Sequence, residues 1–362
     1  MNDLRSMTLE EIKAALNDMG EPPFRGTQIF DWVQAKKVRS FDEMTNLPKA
    51  LRERLAAGFT LSLLTVEKRF VSQEDGTRKY VYALPDGLLI ESVFMPYDYG
   101  NTACISSQAG CRMGCRFCAS TLEGLARNLL PGEMLEQIFR MEEDTGERIS
   151  HVVVMGSGEP LDNYDNLLRF IRLITDEKGR NLSERNITVS TCGLVPQIGK
   201  LAEEHLQITL ALSLHASNDA LRRTMMPIAQ AYSVQETVAA CDAYFRATGR
   251  RMSYEYSLIE GVNDSESCAK ELAALLHGKN AHVNLIPVNP IEERDFKAPD
   301  RAAALRFQKR LENLGINATI RRKMGADIDS ACGQLRLRAK AEQGEQHALR
   351  RTDGSRPRSQ QQ

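Results

Sequence analysis

The chain has 362 residues, 42% hydrophobic and 26% charged, with 47 Lys and Arg against 48 Asp and Glu for a formal net charge of −1. That is ordinary for a soluble globular protein with one large catalytic domain and a small accessory one, and the near-neutral balance does not announce a nucleic-acid binder, although a clustered basic face remains compatible with it. No apolar run approaches the ~20 residues of a membrane span, and Met1 to Gly20 is polar and helical rather than signal-like, so a cytoplasmic protein is expected. Eight cysteines in such a chain read as metal ligands or catalytic thiols before structural disulfides.

Residues 1 to about 60 read as helices. Thr8-Leu9-Glu10-Glu11 is a capping box, followed by Leu9, Ile12, Ala15, Leu16 and Met19 at helical spacing. Gly20-Glu21-Pro22-Pro23 stops that helix. A second starts at Gln28 and runs through Trp32 and Val33, and Pro48 opens a third through Leu51 and Leu55. This small bundle either caps the catalytic domain or contacts RNA. The period then changes over 61–100, where 66–72, 77–84 and 88–95 read as strands of an antiparallel β extension joined at Asp75-Gly76 and Pro85-Asp86-Gly87. Glu91 lies in the third strand, and a lone strand carboxylate is usually solvent-facing.

Residues 104–120 hold four cysteines. Cys111, Cys115 and Cys118 have the spacing C-x3-C-x2-C with no fourth cysteine at short range, and Cys104 precedes them. A structural zinc site normally fills four positions, often with two C-x2-C pairs. A cluster held by three thiolates leaves one iron free to bind a substrate or cosubstrate. Zinc, or three cysteines packed without metal, are the other readings.

From about 102 onward strand and helix alternate. Strands are predicted at 102–106, 151–155, 187–191, 209–214, 253–258 and 282–287, with a seventh short one at 317–321. Helices carry Leu135, Ile138, Phe139 and Met141, then Val238, Cys241, Tyr244 and Phe245. Six β–α units with right-handed crossovers give an α/β fold, a partial (β/α)6 barrel over 101–338. Residues beyond 338 lack apolar periodicity and read as a disordered basic tail.

In such barrels functional residues sit at the C-terminal ends of strands, where the cysteine loop falls. The rule also nominates Gly156-Ser157-Gly158-Glu159-Pro160, whose glycines allow a ligand close to the backbone and whose carboxylate could meet a ligand ammonium. It further nominates Ser190-Thr191-Cys192-Gly193, Ser213-Leu214-His215 and Pro287-Val288-Asn289-Pro290. Near the C-terminus, Cys332 lies between Ala331 and Gly333, sterically open, although a buried free cysteine is the commoner fate of that residue. Arg321-Arg322-Lys323 just before it is a candidate phosphate contact.

The cysteine loop, with Phe117 ahead of Cys118, resembles that of the radical S-adenosylmethionine (SAM) enzymes. Together with Thr102 to Gln108, Arg127-Asn128-Leu129, the rim motifs and Asp327 to Leu335, the chain from about residue 8 to 338 resembles the dual-specificity RNA methyltransferases of the RlmN family. Those enzymes methylate C2 of an adenosine in 23S rRNA and in certain tRNAs. The resemblance implies a 4Fe-4S cluster on Cys111, Cys115 and Cys118. It implies SAM contacts at Gly158, Glu159, Ser190, Ser213, Leu214, His215 and Asn289. Cys332 would become S-methylcysteine by taking a methyl from a first SAM, with Arg322 or Lys323 raising its thiolate fraction. A second SAM, cleaved at the cluster, would generate the radical that activates this methyl for addition to C2. Glu91 would accept the C2 proton, and Cys104 would release the covalent RNA adduct by forming a transient disulfide with Cys332. Expected partners are 23S rRNA and tRNA, with the adenosine presented unstacked, and an electron donor such as flavodoxin. A monomer with no membrane association is expected. Three other readings stand beside this one: the sister activity at C8 of the same adenosine, which shares all these residues and gives antibiotic resistance; a radical SAM maturase acting on a protein; and a zinc RNA-binding module.

Overall fold

The computed structural model describes residues 2–335; the tail expected beyond 338 lies outside them. The N-terminal helices are α1 (Leu9–Asp18), α2 (Phe24–Phe30) and α3 (Lys49–Gly58). The Thr8 box forms as expected, with the Glu11 N–H donating to Thr8 Oγ1 at 3.3 Å and the Thr8 N–H donating to Glu11 Oε2 at 2.8 Å. Helix α2 begins four residues earlier than the sequence suggested, directly after Pro23, and runs on into a π-turn over Asp31–Ala35. A proline ahead of the first helical residue lacks an N–H that the first turn would leave unpaired anyway, so Pro22-Pro23 both ends one helix and starts the next.

Strands β1 (Thr65–Val71), β2 (Arg78–Ala83) and β3 (Leu89–Met95) form the expected antiparallel meander. They are followed by β4 (Thr102–Cys104), α4 (Pro131–Thr145), β5 (His151–Val154), α5 (Tyr164–Thr175), β6 (Ile187–Thr191), α6 (Val195–Glu203) and β7 (Thr209–Ser213). Then come α7 (Asp219–Met225), α8 (Val234–Thr248), β8 (Met252–Leu258), α9 (Glu266–Leu276), β9 (Ala281–Pro287), α10 (Arg301–Asn313) and β10 (Ala318–Ile320). The ten strands form one sheet in chain order. Pairing is parallel from β4 to β10, while β3 joins β4 antiparallel, so the meander continues the barrel sheet. This is the partial barrel, an α/β fold, and β1 and β10 are its open edges.

Residue parity decides what faces the lumen. Along β6, Ile187 and Val189 are fully buried against the helices, whereas Thr188 and Ser190 are half-buried and line the interior. The strand ends therefore present hydroxyls and amides inward and aliphatics outward, which leaves a polar lumen instead of a packed one.

Helix α4 is buried along most of its length because the N-terminal region covers the side facing away from the sheet. Arg5 sits between them with no exposure. Its guanidinium donates to the carbonyls of Val33 at 3.0 Å and Val38 at 2.6 Å, and it pairs with Glu136 of α4 at 3.3 Å. A charge buried this deeply persists only with a partner and hydrogen bonds.

Candidate active site

After Cys104 the chain stays zipped to the neighbouring strand end. The Ile105 N–H donates to the Val153 carbonyl at 3.0 Å, Gly156 N–H to Ile105 O at 3.0 Å, and the N–H groups of Ser107 and Gln108 share Ser157 O. A Cβ on Gly156 would meet the Ile105 carbonyl at 2.8 Å. One on Gly158, at φ +108, would lie 2.6 Å from Gln108 Cβ. The approach of the protein's own 105–108 segment thus itself requires these glycines. Glu159 is likewise committed. Its two oxygens accept the N–H groups of Leu161 at 3.1 Å and Cys192 at 2.7 Å, and its own N–H donates to Gln108 Oε1 at 2.8 Å. Burial raises its carboxyl pKa while these N–H groups lower it. The carboxylate ties the 156–160 loop to the end of β6.

The result is an open cavity of about 900 Å³ at the C-terminal ends of the strands. Cys111, Cys115 and Cys118 line one side, and Gly158, Glu159, Ser190, Ser213, His215 and Asn289 line the rest. Leu214 alone of the expected SAM contacts is absent from the wall: its side chain is fully buried in the core, with its N–H bonded to Glu255 O. His215 adopts φ 57, and its Nδ1 accepts the Ser257 N–H at 2.8 Å, which leaves the proton on Nε2. Burial, with Arg222 adding, pushes its pKa down to about 3, so it is a neutral donor at any physiological pH. Phe117 packs edge-on against it with ring centroids 4.7 Å apart.

The donor set suits an iron–sulfur cluster. Among the described residues no three His, Cys, Asp or Glu gather tightly enough for a single ion, and zinc needs four donors at about 2.0–2.3 Å. The three thiols instead surround a roomy cavity; burial raises all three pKa values, so cluster binding must displace their protons. Behind them lies Arg222, fully buried, donating to the carbonyls of Cys192 at 2.6 Å, Ser213 at 3.2 Å and Leu214 at 3.1 Å. Its Nη1 has no hydrogen-bond partner; burial lowers its pKa, against which Cys192 and Cys115 pull it up. A buried cation with thiols for neighbours is at home beside ligands that ionise.

Cys332 lines this cavity and a second one of about 680 Å³, and Cys104 lines the second. The two thiols thus meet at one chamber. Asn289 Nδ2 donates to Cys332 O at 3.1 Å, and Gly333 O accepts the Ala119 N–H at 2.8 Å, which fastens the Cys332 loop to the cysteine loop. On the other side the loop is held by the β1–β2 turn. Asp75 Oδ2 accepts the Gly325 N–H at 2.9 Å, and the Gln73 N–H donates to Asp327 Oδ2 at 3.0 Å. Burial, followed by the charge of Cys332, pushes the Cys104 thiol up to about 12, against which Arg321 pulls.

One expectation is corrected here. Glu91 is buried, not solvent-facing; by strand parity it shares its face with Val93 and Met95, which line the Cys104 chamber, although Glu91 itself does not. Arg322 and Lys323 are exposed and line the Cys104–Cys332 chamber, and half-buried Arg321 lines that chamber and the cavity of the three cysteines as well. Sequence reasoning missed Glu255 and Arg222; it gave Arg321 only as a phosphate contact and Gln108 only as the end of a motif. The available signal for Arg321 was strand continuation: its N–H still bonds Leu285 O at 2.9 Å beyond β10.

Comparison with known proteins agrees with this geometry. A family model described as the radical SAM superfamily matches residues 105–271, and one described as the ribosomal RNA large subunit methyltransferase N-terminal domain matches 2–61. A relative from Lachnoclostridium phytofermentans, described as a probable dual-specificity RNA methyltransferase RlmN, is 56% identical over 92% of this chain and 94% of its own. One of the same description from Lachnospira eligens is 56% identical over 93% and 96%. The crystal structure of a radical SAM methyltransferase from Sphaerobacter thermophilus superposes with a TM-score of 0.89 at 44% identity, covering 93% of this chain and 99% of that one.

Proposed function

This chain belongs to the RlmN family of dual-specificity RNA methyltransferases, radical SAM enzymes, and on that premise we propose that it methylates C2 of adenine 2503 in 23S rRNA and of adenine 37 in tRNAs. The observation that carries this reading is the position of Cys332, which lines both the cavity of the three cysteines and the chamber of Cys104. One sulfur shared by two chambers suits a carbon carrier that is loaded on one side and unloaded on the other.

When bound, the cluster on Cys111, Cys115 and Cys118 supplies one-electron chemistry that activates a methyl group for addition to an aromatic carbon. The remaining work falls to the chain. Cys332 thiolate attacks the methyl carbon of a first SAM, S-adenosylhomocysteine leaves, and Cys332 becomes a thioether; a second SAM would be consumed in activation, ending as methionine and 5′-deoxyadenosine that has gained one hydrogen from the S-methyl group. His215 Nε2–H, the Ser190 and Ser213 hydroxyls and the backbone at Gly158 and Glu159 offer polar contacts for SAM, and Asn289 holds the Cys332 carbonyl beside it. Once carbon links Cys332 Sγ to C2, the adduct gives up its odd electron to the one-electron centre and its C2 proton to Glu91. Cys104 thiolate then attacks Cys332 Sγ. The S–S bond forms, the sulfur–carbon bond breaks with its electron pair on carbon, and that carbon takes a proton to become the methyl group. An external thiol must reduce the disulfide before the next cycle.

The test is anaerobic reconstitution with SAM and a 23S rRNA fragment, followed by mass spectrometry of the nucleosides. 2-Methyladenosine is expected; 8-methyladenosine would replace this reading with C8 methylation. Cys104→Ala should leave the covalent protein–RNA adduct in place, and free methylated RNA at the normal rate from that variant would remove Cys104 from the mechanism.

A further inference from the structure

Resting on the two-thiol reading above, we infer that Arg321, held in the lumen by Glu255, is the positioning residue that favours ionisation of Cys104 where it faces Cys332. A polar ladder inside the barrel fixes the arrangement. Glu255 on β8 accepts the Ser253 hydroxyl at 2.8 Å and Asn284 Nδ2 at 2.9 Å, both at Oε1. Asn284 Oδ1 in turn accepts the Thr319 hydroxyl at 3.1 Å. Glu255 Oε2 is left buried without a hydrogen bond, and Arg321 Nη1 stands 3.9 Å from it.

The Glu255 side chain is 5% exposed and that of Arg321 24%. A carboxylate so placed is costly without its counter-ion, and an arginine without such an anchor would extend its head to solvent. Glu255 thus decides where Arg321 points. The second constraint on that guanidinium is Met155 Sδ at 3.8 Å. Arg321 and Met155 line three cavities: that of the three cysteines, that of Cys104 and Cys332, and a polar chamber below reached past Tyr97. The guanidinium therefore stands where the two sulfurs meet.

Cys104 needs such a partner. It is nearly buried, its thiol is pushed up by burial and by Cys332, and a buried neutral thiol is inert as a nucleophile. The titratable and charged groups around it are Cys332, Tyr97 and Arg321, with Glu91 two residues along the adjacent strand from its partner Val93 and Arg322 and Lys323 on the exposed rim. Arg321 alone among these is both cationic and anchored by a buried carboxylate. The Coulomb interaction works in both directions, since Cys332 is first and Cys104 also present among the groups that raise the pKa of Arg321.

The experiment follows one turnover in anaerobically reconstituted holoenzyme with saturating SAM and a 23S rRNA fragment. It compares the wild type with Arg321→Gln, Arg321→Lys and Glu255→Gln, all checked for cluster absorbance. Intact mass reports S-methylation of Cys332 before RNA is added, and a denaturing gel reports the adduct. Arg321→Gln, incubated with SAM until Cys332 is fully S-methylated, should then accumulate adduct and release product at least tenfold more slowly. Raising the pH from 7.5 to 9 should recover part of that rate, because each pH unit raises a minor thiolate fraction tenfold. Arg321→Lys should restore part of the rate at pH 7.5, and Glu255→Gln should repeat the defect in milder form. Normal adduct release in Arg321→Gln overturns the proposal. So does a defect that is cured by more SAM or that is insensitive to pH. A wild-type enzyme that shows neither S-methylation nor adduct would instead sink the two-thiol reading itself.

Discussion

Replacing Gly158 by alanine puts a methyl group into space already taken. The new Cβ would stand 2.6 Å from Gln108 Cβ, 2.8 Å from Gln108 N and 2.8 Å from Ser107 Oγ, at a φ of +108 that side chains rarely adopt. Overpacking of this kind costs about 1–3 kcal/mol, and the backbone conformation adds about 1 kcal/mol or more. All three atoms belong to the 105–108 segment just ahead of the cysteine loop, so the strain is relieved by moving the 156–160 loop outward. That breaks the hydrogen bond from Glu159 N–H to Gln108 Oε1 and carries the Glu159 carboxylate away from the Cys192 N–H. At about 2–4 °C per kcal/mol for a large domain, a total of roughly 2–4 kcal/mol should lower Tm by roughly 5–15 °C in a calorimetric melt of the holoenzyme. SAM binding measured by titration calorimetry should weaken at least tenfold, since about 1.4 kcal/mol of the strain falling on the bound loop is enough. Cluster content should not change, because the cysteines lie on the side that does not move. Unchanged Tm together with unchanged SAM affinity would refute this account of why glycine is required.

Glu136→Ala should cost about 3–5 kcal/mol in a thermal melt, because it leaves the Arg5 guanidinium buried without its carboxylate partner; a loss under 1 kcal/mol would show that the backbone carbonyls alone suffice. His215 has its folded pKa depressed to about 3 from 6.5, so its contribution to stability is complete above pH 6.5 and is lost as pH falls from there towards 3. His215→Gln keeps an acceptor for the Ser257 N–H and should flatten the acid limb of the stability–pH curve, by up to about 1.4 kcal/mol per pH unit; identical limbs for the two proteins would contradict the assignment. Asp75→Ala removes the carboxylate that accepts the Gly325 N–H, worth about 1.5–3 kcal/mol for a charged acceptor. Amide exchange at 325–330 should accelerate and turnover should fall with SAM affinity intact; unaltered exchange would mean the β1–β2 turn does not hold the Cys332 loop.

Much of this molecule is local information. Capping at Thr8, the alternation of strand and helix after residue 102, and a triplet of closely spaced thiols are each properties of a few consecutive residues, so the partial barrel, the cysteine loop and the rim of strand ends that faces it were legible before any coordinates. The sequence also named Cys104 and Cys332 as a pair, although 228 positions apart in the numbering of the chain. That rested on likeness to relatives, because no local pattern brings such distant residues together. Burial was not legible. Glu91 reads as an ordinary strand carboxylate, Arg222 as one of two arginines in a short helix, and Arg321 as the first of a basic triplet. A charged side chain has no intrinsic sign of whether water or protein surrounds it, and only the packing of other elements removes the water. Tertiary structure alone decided that Arg222 backs the cysteines, that Glu255 directs Arg321 to the two sulfurs, and that the glycines at 156 and 158 serve the chain's own backbone. The energy of an ion depends on everything within several ångströms of it, whereas a helix or a strand depends mainly on its neighbours along the chain.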